Sequence, residues 1–154
     1  RDLPCDPLMK TPRHLAPLLA LTLGAVSLLV VSTARAETRR FGAFEVHYSA
    51  FTSSFLQPGI AAAYGIVRGR DRAVLNVAVR NAAGSVEAQL TGTRSDLILK
   101  EQLAFRAIRE DGAIYYIAEF GFTSGETLYF DLAITPTGEA TPLQLKFSQA
   151  LHAD

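Results

Sequence analysis

Six stretches of this chain alternate apolar and polar residues with a period of two, the mark of strands that bury one face and expose the other. Phe44, Val46, Tyr48 and Ala50 alternate with Glu45, His47 and Ser49, and Leu75, Val77 and Val79 with Asn76 and Arg80. Val86, Ala88 and Leu90 alternate with Glu87, Gln89 and Thr91, and Leu103, Phe105 and Ala107 with Gln102 and Arg106. Leu128, Phe130, Leu132 and Ile134 alternate with Thr127, Tyr129 and Asp131, and Leu143, Leu145 and Phe147 with Gln144, Lys146 and Ser148. A seventh stretch, "AIYYIAEFGF" near 113 to 122, is apolar on both faces, as a central strand should be. Turn signals such as Asp111-Gly112, Ser124-Gly125 and "TPTGEAT" separate these segments. The pattern predicts an all-β fold, an immunoglobulin-like antiparallel β-sandwich of about seven strands that lacks the cysteine and tryptophan hallmarks of antibody domains.

Turn parity refines the pairing. A two-residue turn at Asp111-Gly112 sets Phe105 against Ala118, Ala107 against Tyr116 and Leu103 against Phe120, with all the large apolar groups on one face. The opposite face receives Arg106, Ile108, Tyr115, Ile117 and Glu119, with Arg106 and Glu119 on a diagonal. A two-residue loop at Ser124-Gly125 would turn Phe130 and Leu132 outward. A three-residue loop, Thr123 to Gly125, is therefore expected, pairing Phe120 with Leu128 and Ala118 with Phe130.

One segment breaks the period. "QPGIAAAYGI", residues 57 to 66, opens on Pro58 and closes on Gly65, the order of a short helix, which is expected to cross one end of the sandwich. After it, Arg68, Arg70 and Arg72 surround Asp71 in "VRGRDRA", a cluster small enough to read as a solvated loop.

The N-terminal region has a different logic. Met9, Lys10 and Arg13 precede an uncharged apolar run, Leu15 to Val31, and Ala34-Arg35-Ala36 follows it. A basic start, an apolar stretch and small residues at −3 and −1 describe a signal peptide over residues 9–36, with an N-terminal signal helix and cleavage after Ala36. The run holds Pro17 and Gly24 and is short of the roughly 20 apolar residues that a span requires. Residues 1–8, "RDLPCDPL", read as translated upstream sequence, leaving residues 37–154 as a single β-sandwich domain. That portion is expected to be exported, with no membrane association once the signal is removed.

Residues 37–154 hold 11 basic and 13 acidic residues and no cysteine, tryptophan or methionine. A disulfide, thiol chemistry and a cysteine-bound zinc or iron–sulfur centre are therefore excluded from this portion, and a hydrophobic core must stabilise it. The nearly balanced charge argues against a nucleic-acid partner, which would call for a clustered basic surface.

"FGAFEVHYSAF", "YGIVRGRDRAVLNVAV", "IREDGAIYYIAEFGF" and the closing "LKFSQALHAD" resemble a family of small exported proteins of Gram-negative proteobacteria, domain of unknown function 4426. The resemblance runs from about Phe41 to Asp154. It implies a periplasmic location and a single β-rich domain, and brings no catalytic residues with it.

Chemistry-bearing motifs are scarce. The chain shows no zinc-protease histidine pair, P-loop, dinucleotide glycine motif or nucleophile elbow, and nothing calls for a cofactor. His47 is the group suited to acid–base work near neutral pH, on the polar face of its strand beside Glu45 and Ser49. His152 and Asp154 could approach it to form a metal site if the first and last strands are neighbours, although the spacing is not a recognised zinc pattern. Tyr115, Tyr116 and Tyr129 read first as packing residues and second as a ligand groove. Two functions are compatible with these residues. The favoured one is a noncatalytic binding or protein-interaction module for an envelope protein or small ligand, using a sheet edge or the face that carries Arg106, Tyr115 and Glu119, with His47 as a further candidate binding residue. The alternative is a small hydrolase or metal-binding protein centred on His47. A cleft joining His47 to a carboxylate, serine or second histidine would favour the enzyme; a flat surface there would favour the module.

Overall fold

The alternating segments become strands in a computed structural model that describes residues 36–153. In chain order the strands are β1 (Glu37–Phe41), β2 (Phe44–Thr52), β3 (Arg72–Asn81), β4 (Gly84–Ser85), β5 (Ala88–Ser95), β6 (Lys100–Gln102), β7 (Arg106–Glu110), β8 (Ala113–Gly121), β9 (Thr127–Pro136) and β10 (Leu143–Ala150). A single-turn 3-10 helix (Ser53–Phe55) and helix α1 (Pro58–Ala63) lie between β2 and β3. The expected upstream residues and signal helix fall outside the described residues, apart from Ala36.

Two antiparallel sheets face one another, one in the order β1-β2-β3-β8-β7 with β4 on β3, the other β10-β9-β5-β6. Lettered A to G in chain order, β2, β3, β5, β7, β8, β9 and β10 fall into ABED on one sheet and CFG on the other. That is the immunoglobulin arrangement expected from the pattern. Short β1, β4 and β6 are additions to it. "ETRRF" in β1 carries no alternation, and it becomes a strand by pairing Glu37 with Tyr48 through Phe41 with Phe44, across a turn where Gly42 takes φ +58°.

The core lies between the sheets. Val46, Tyr48 and Ala50 of β2, Leu75, Val77 and Val79 of β3, and Tyr116, Ala118 and Phe120 of β8 meet Leu128, Phe130, Leu132 and Ile134 of β9 and Leu145 of β10. Phe130 stands at its centre, edge-on to Phe120 (ring centroids 5.5 Å apart) and stacked on Phe147 (4.6 Å). The Tyr116 hydroxyl accepts the Ala88 N–H at 2.7 Å, joining β8 to β5 across the core.

Three expectations need correction. The Asp111-Gly112 turn does set β7 against β8 with Ala107 opposite Tyr116, and both turn residues have positive φ. However, Leu103 and Phe105 do not extend that pairing. Leu103 still donates its N–H to Gly92 of β5, and regular pairing with β8 starts only at Arg106, so residues 103–105 carry the chain from one sheet to the other. Secondly, β8 and β9 are not a hairpin. Each is a central strand flanked by two others, β3 and β7 for β8, β5 and β10 for β9. The Thr123–Gly125 segment therefore crosses between sheets, and Phe120 meets Phe130 through the core rather than along a ladder. Thirdly, the segment with α1 does not cap an end of the sandwich; it lies over the outer face of the first sheet, against Val74 and Ile117.

Candidate functional site

By register, the outer face of the first sheet carries His47, Ser49 and Phe51 of β2, Val74, Asn76 and Ala78 of β3, Tyr115, Ile117 and Glu119 of β8, and Arg106, Ile108 and Glu110 of β7. Much of this surface is apolar and cannot be left in water without cost. Ala61 and Ile66 pack on Val74 and Ile117 to form a second small core, with Phe51, Leu56, Tyr64 and Ile108 against it.

Six residues are too few for a helix to hold itself together in water. Pro58 presets its first turn, Gly65 reverses the chain at φ +63°, and side chains from the sheet clamp the residues around that reversal. Arg106 donates to the Tyr64 carbonyl at 2.5 Å and to Glu119 Oε1 at 3.1 Å, while Glu119 Oε2 accepts the Val67 N–H at 3.0 Å. Arg68 donates to the Ser54 carbonyl at 2.8 Å, and Ser53 Oγ accepts the Gly69 N–H at 2.9 Å. Arg106 and Glu119 thus hold the roof segment in place. The pair is single-pronged and its side chains are 43% and 22% exposed. A double-mutant cycle on Arg106→Ala and Glu119→Ala, read in denaturant melts, is expected to give a coupling of about 0.5–1 kcal/mol. A coupling of zero would show that the clamp contributes nothing.

Between roof and sheet lies a groove of about 250 Å³. Phe51, Val74, Asn76, Ile108, Tyr115 and Ile117 form its floor; Leu56, Ile60, Tyr64 and Ile66 line the roof side. At its rim the Tyr64 hydroxyl donates to Glu110 Oε2. That carboxylate raises the Tyr64 pKa above the ordinary phenol value, so the hydroxyl stays protonated. Asn76 is the polar residue of the floor, in register between Ser49 and Ile117, and its Oδ1 is buried without a hydrogen-bond partner.

Of the residues singled out in the sequence, Tyr115 lines the groove and Arg106 and Glu119 fasten its roof, while His47 lies outside it. His47 Nδ1 is 2.9 Å from Thr38 Oγ1 on β1, and Nε2 is 3.6 Å from Glu45 Oε2, on a half-exposed surface. Glu45 is also paired with Arg40 at 2.5 Å. β10, which leads to His152, belongs to the opposite sheet; Asp154 is outside the described residues, among which no group of three or more metal-ligating side chains occurs. Tyr116 is a core residue and Tyr129 is exposed on the other sheet. Asn76 was the residue most easily missed. Its signal was a lone carboxamide in "VLNVAV", in a strand apolar on both sides of it.

The family profile for a domain of unknown function, DUF4426, matches residues 38–154. The chain belongs to the DUF4426 family. A DUF4426 protein of Pseudomonas aeruginosa PAO1 of known crystal structure is 38% identical, with a TM-score of 0.70 over 77% of this chain and 96% of that one. A copper-bound variant of FetP from uropathogenic Escherichia coli strain F11 superposes with a TM-score of 0.55 at 9% identity, over 77% of this chain and 96% of its own. FetP as isolated after expression in the periplasm gives 0.54 at 9% identity. At that identity the FetP likeness concerns the fold alone. No curated protein matches this DUF4426 chain. Among its described residues, no helix is long and apolar enough to cross a membrane.

Proposed function

We propose that this DUF4426 chain is a noncatalytic periplasmic binding module whose site is the groove beneath α1. The observation that carries the reading is the groove itself: an apolar floor on four strands, roofed by a short segment fastened by side chains from that same sheet. Ligand sites are concave and mostly apolar with a few placed polar groups, and this one, at about 250 Å³, falls just below their usual range of about 300–1,000 Å³, the size for a small guest.

The His47-centred alternative has one observation in its favour, the Thr38–His47–Glu45 string. Its one carboxylate, Glu45, stands 3.6 Å from the ring, beyond hydrogen-bond distance, and its members lie outside the groove. The two readings separate in one experiment with N-phenyl-1-naphthylamine, a neutral apolar reporter whose fluorescence rises in a dry site. His47→Ala is expected to fold and bind the reporter as the parent does, and Ile108→Trp, which fills the floor, to lose it. Should the tryptophan variant fail to fold, Ile108→Phe serves in its place. Loss of binding in His47→Ala with full binding in the filled variant would reverse the assignment.

The periplasmic location is supported by the basic, apolar and Ala-Arg-Ala succession before Glu37. N-terminal sequencing of protein from a periplasmic extract is expected to begin at Glu37. Recovery only in the membrane pellet, with residues 9–36 attached, would refute export by cleavage.

A further inference from the structure

We infer that the groove beneath α1 takes a small uncharged amphiphile, an apolar chain or ring bearing one hydroxyl or carboxamide that meets Asn76; the inference rests on the groove being the binding site. Buried polar atoms are nearly always paired, and a sealed acceptor without a partner calls for an explanation. Asn76 Oδ1 is such an atom, at a floor position whose same-face neighbours are Val74 and Ala78 along β3 and Ile117 and Ser49 across it, and the Ser49 hydroxyl does not reach it. A valine there would fit the strand better and leave nothing unpaired. The carboxamide lines the groove, and its terminal torsion is broad, so a modest rotation turns oxygen or nitrogen toward a guest. It can accept from and donate to one head group, which a hydroxyl or an amide can reciprocate.

Charge narrows the class further. The carboxylates on this face, Glu110 and Glu119, oppose an anionic head, and Arg106 is already committed to Glu119 and to the Tyr64 and Gly65 carbonyls. Glu110 stands four residues along β7 from the level of Asn76, about 13 Å away at the usual strand rise, so an ammonium held there would leave Asn76 unmet. A fatty acid anion and an alkyl ammonium are therefore both disfavoured. The groove holds about 250 Å³ and is open to solvent, so a body of about eight carbons suffices to fill it and a larger one such as the naphthylamine projects from it.

The test is a titration of the ¹⁵N-labelled protein with 1-octanol, octanoate and octylammonium, which differ only in the head. Octanol is expected to shift the Asn76 side-chain NH₂ signal saturably, together with the Tyr115 and Ile117 amides, and to bind more tightly than either ion. Asn76→Leu, with Asn76→Ala as a second variant, is expected to weaken octanol about 3- to 10-fold, as one lost hydrogen bond would. Undiminished octanol binding in both variants would overturn the role of Asn76 and leave the groove reading standing. Octanoate or octylammonium binding as tightly as octanol would overturn the uncharged class. Absence of both octanol and reporter binding in the parent protein would remove the groove reading itself.

Discussion

Replacing Phe120 with alanine is expected to lower the unfolding free energy by about 3–5 kcal/mol, as large-to-small core changes do. Phe120 is 6% exposed and meets Phe130 edge-on in the middle of the sandwich, while Tyr129, the sequence neighbour of Phe130, is 48% exposed on the outer side of β9. Tyr129→Ala should cost about 1 kcal/mol or less, the ordinary range for a surface change. A domain of this kind has about 5–15 kcal/mol in all, and residues 37–154 contain no cysteine for a disulfide to compensate. Urea melts of the two variants decide the matter. Equal losses would mean that the inward and outward faces of β9 are misassigned.

Gly92→Ala is expected to be the most damaging addition of a single methyl group, at about 1–3 kcal/mol. Gly92 lies in β5 directly opposite Leu132 of β9. A Cβ there would stand 2.8 Å from the Asp131 carbonyl oxygen and would overlap the Leu132 side chain. Leu132 is fully buried and the oxygen belongs to the backbone, so neither gives way cheaply. Gly121→Ala is the control, since the nearest atom to its added carbon, the Asp71 carbonyl oxygen, is 3.8 Å away. Its change should stay within about 0.5 kcal/mol. Comparable losses at both glycines would contradict the close approach of β5 and β9.

Period two was legible because the choice of face is made residue by residue. Whichever strand lies next to β9, Phe130 and Leu132 must point inward. Sheet membership is another matter. Phe120, Leu128 and Phe130 share the core whether β8 and β9 form a hairpin or face each other, so parity alone could not separate the two arrangements. The break at Leu103–Phe105 was hidden for a related reason: both residues still bury apolar surface while the chain changes sheets, so the alternation runs on without interruption. The Arg106–Glu119 diagonal followed from the turn at Asp111-Gly112, which local chemistry determines. The groove depends on where residues 53–71 come to rest, 40 or more positions from the strands that clamp them, and no local propensity encodes that contact. Asn76, for its part, looks like any polar residue on an outer face until the roof is laid over it.

The four strands at the ends of the two sheets each have one open side, and each presents it differently. β1 bears Glu37, Arg39 and Arg40; β7 bears Arg106, Arg109 and Glu110; β6 is Lys100-Glu101-Gln102. β10, the longest and least charged of the four, has its Lys146 carbonyl covered by Arg39 at 3.4 Å. A neighbouring chain that tried to add itself as a further strand would have to strip water from these ions or displace that guanidinium. Recognition by strand addition is thereby discouraged, and with it the first step by which sandwich domains clump into fibres or precipitates. Such a domain can open and reclose among close neighbours many times without being captured by them.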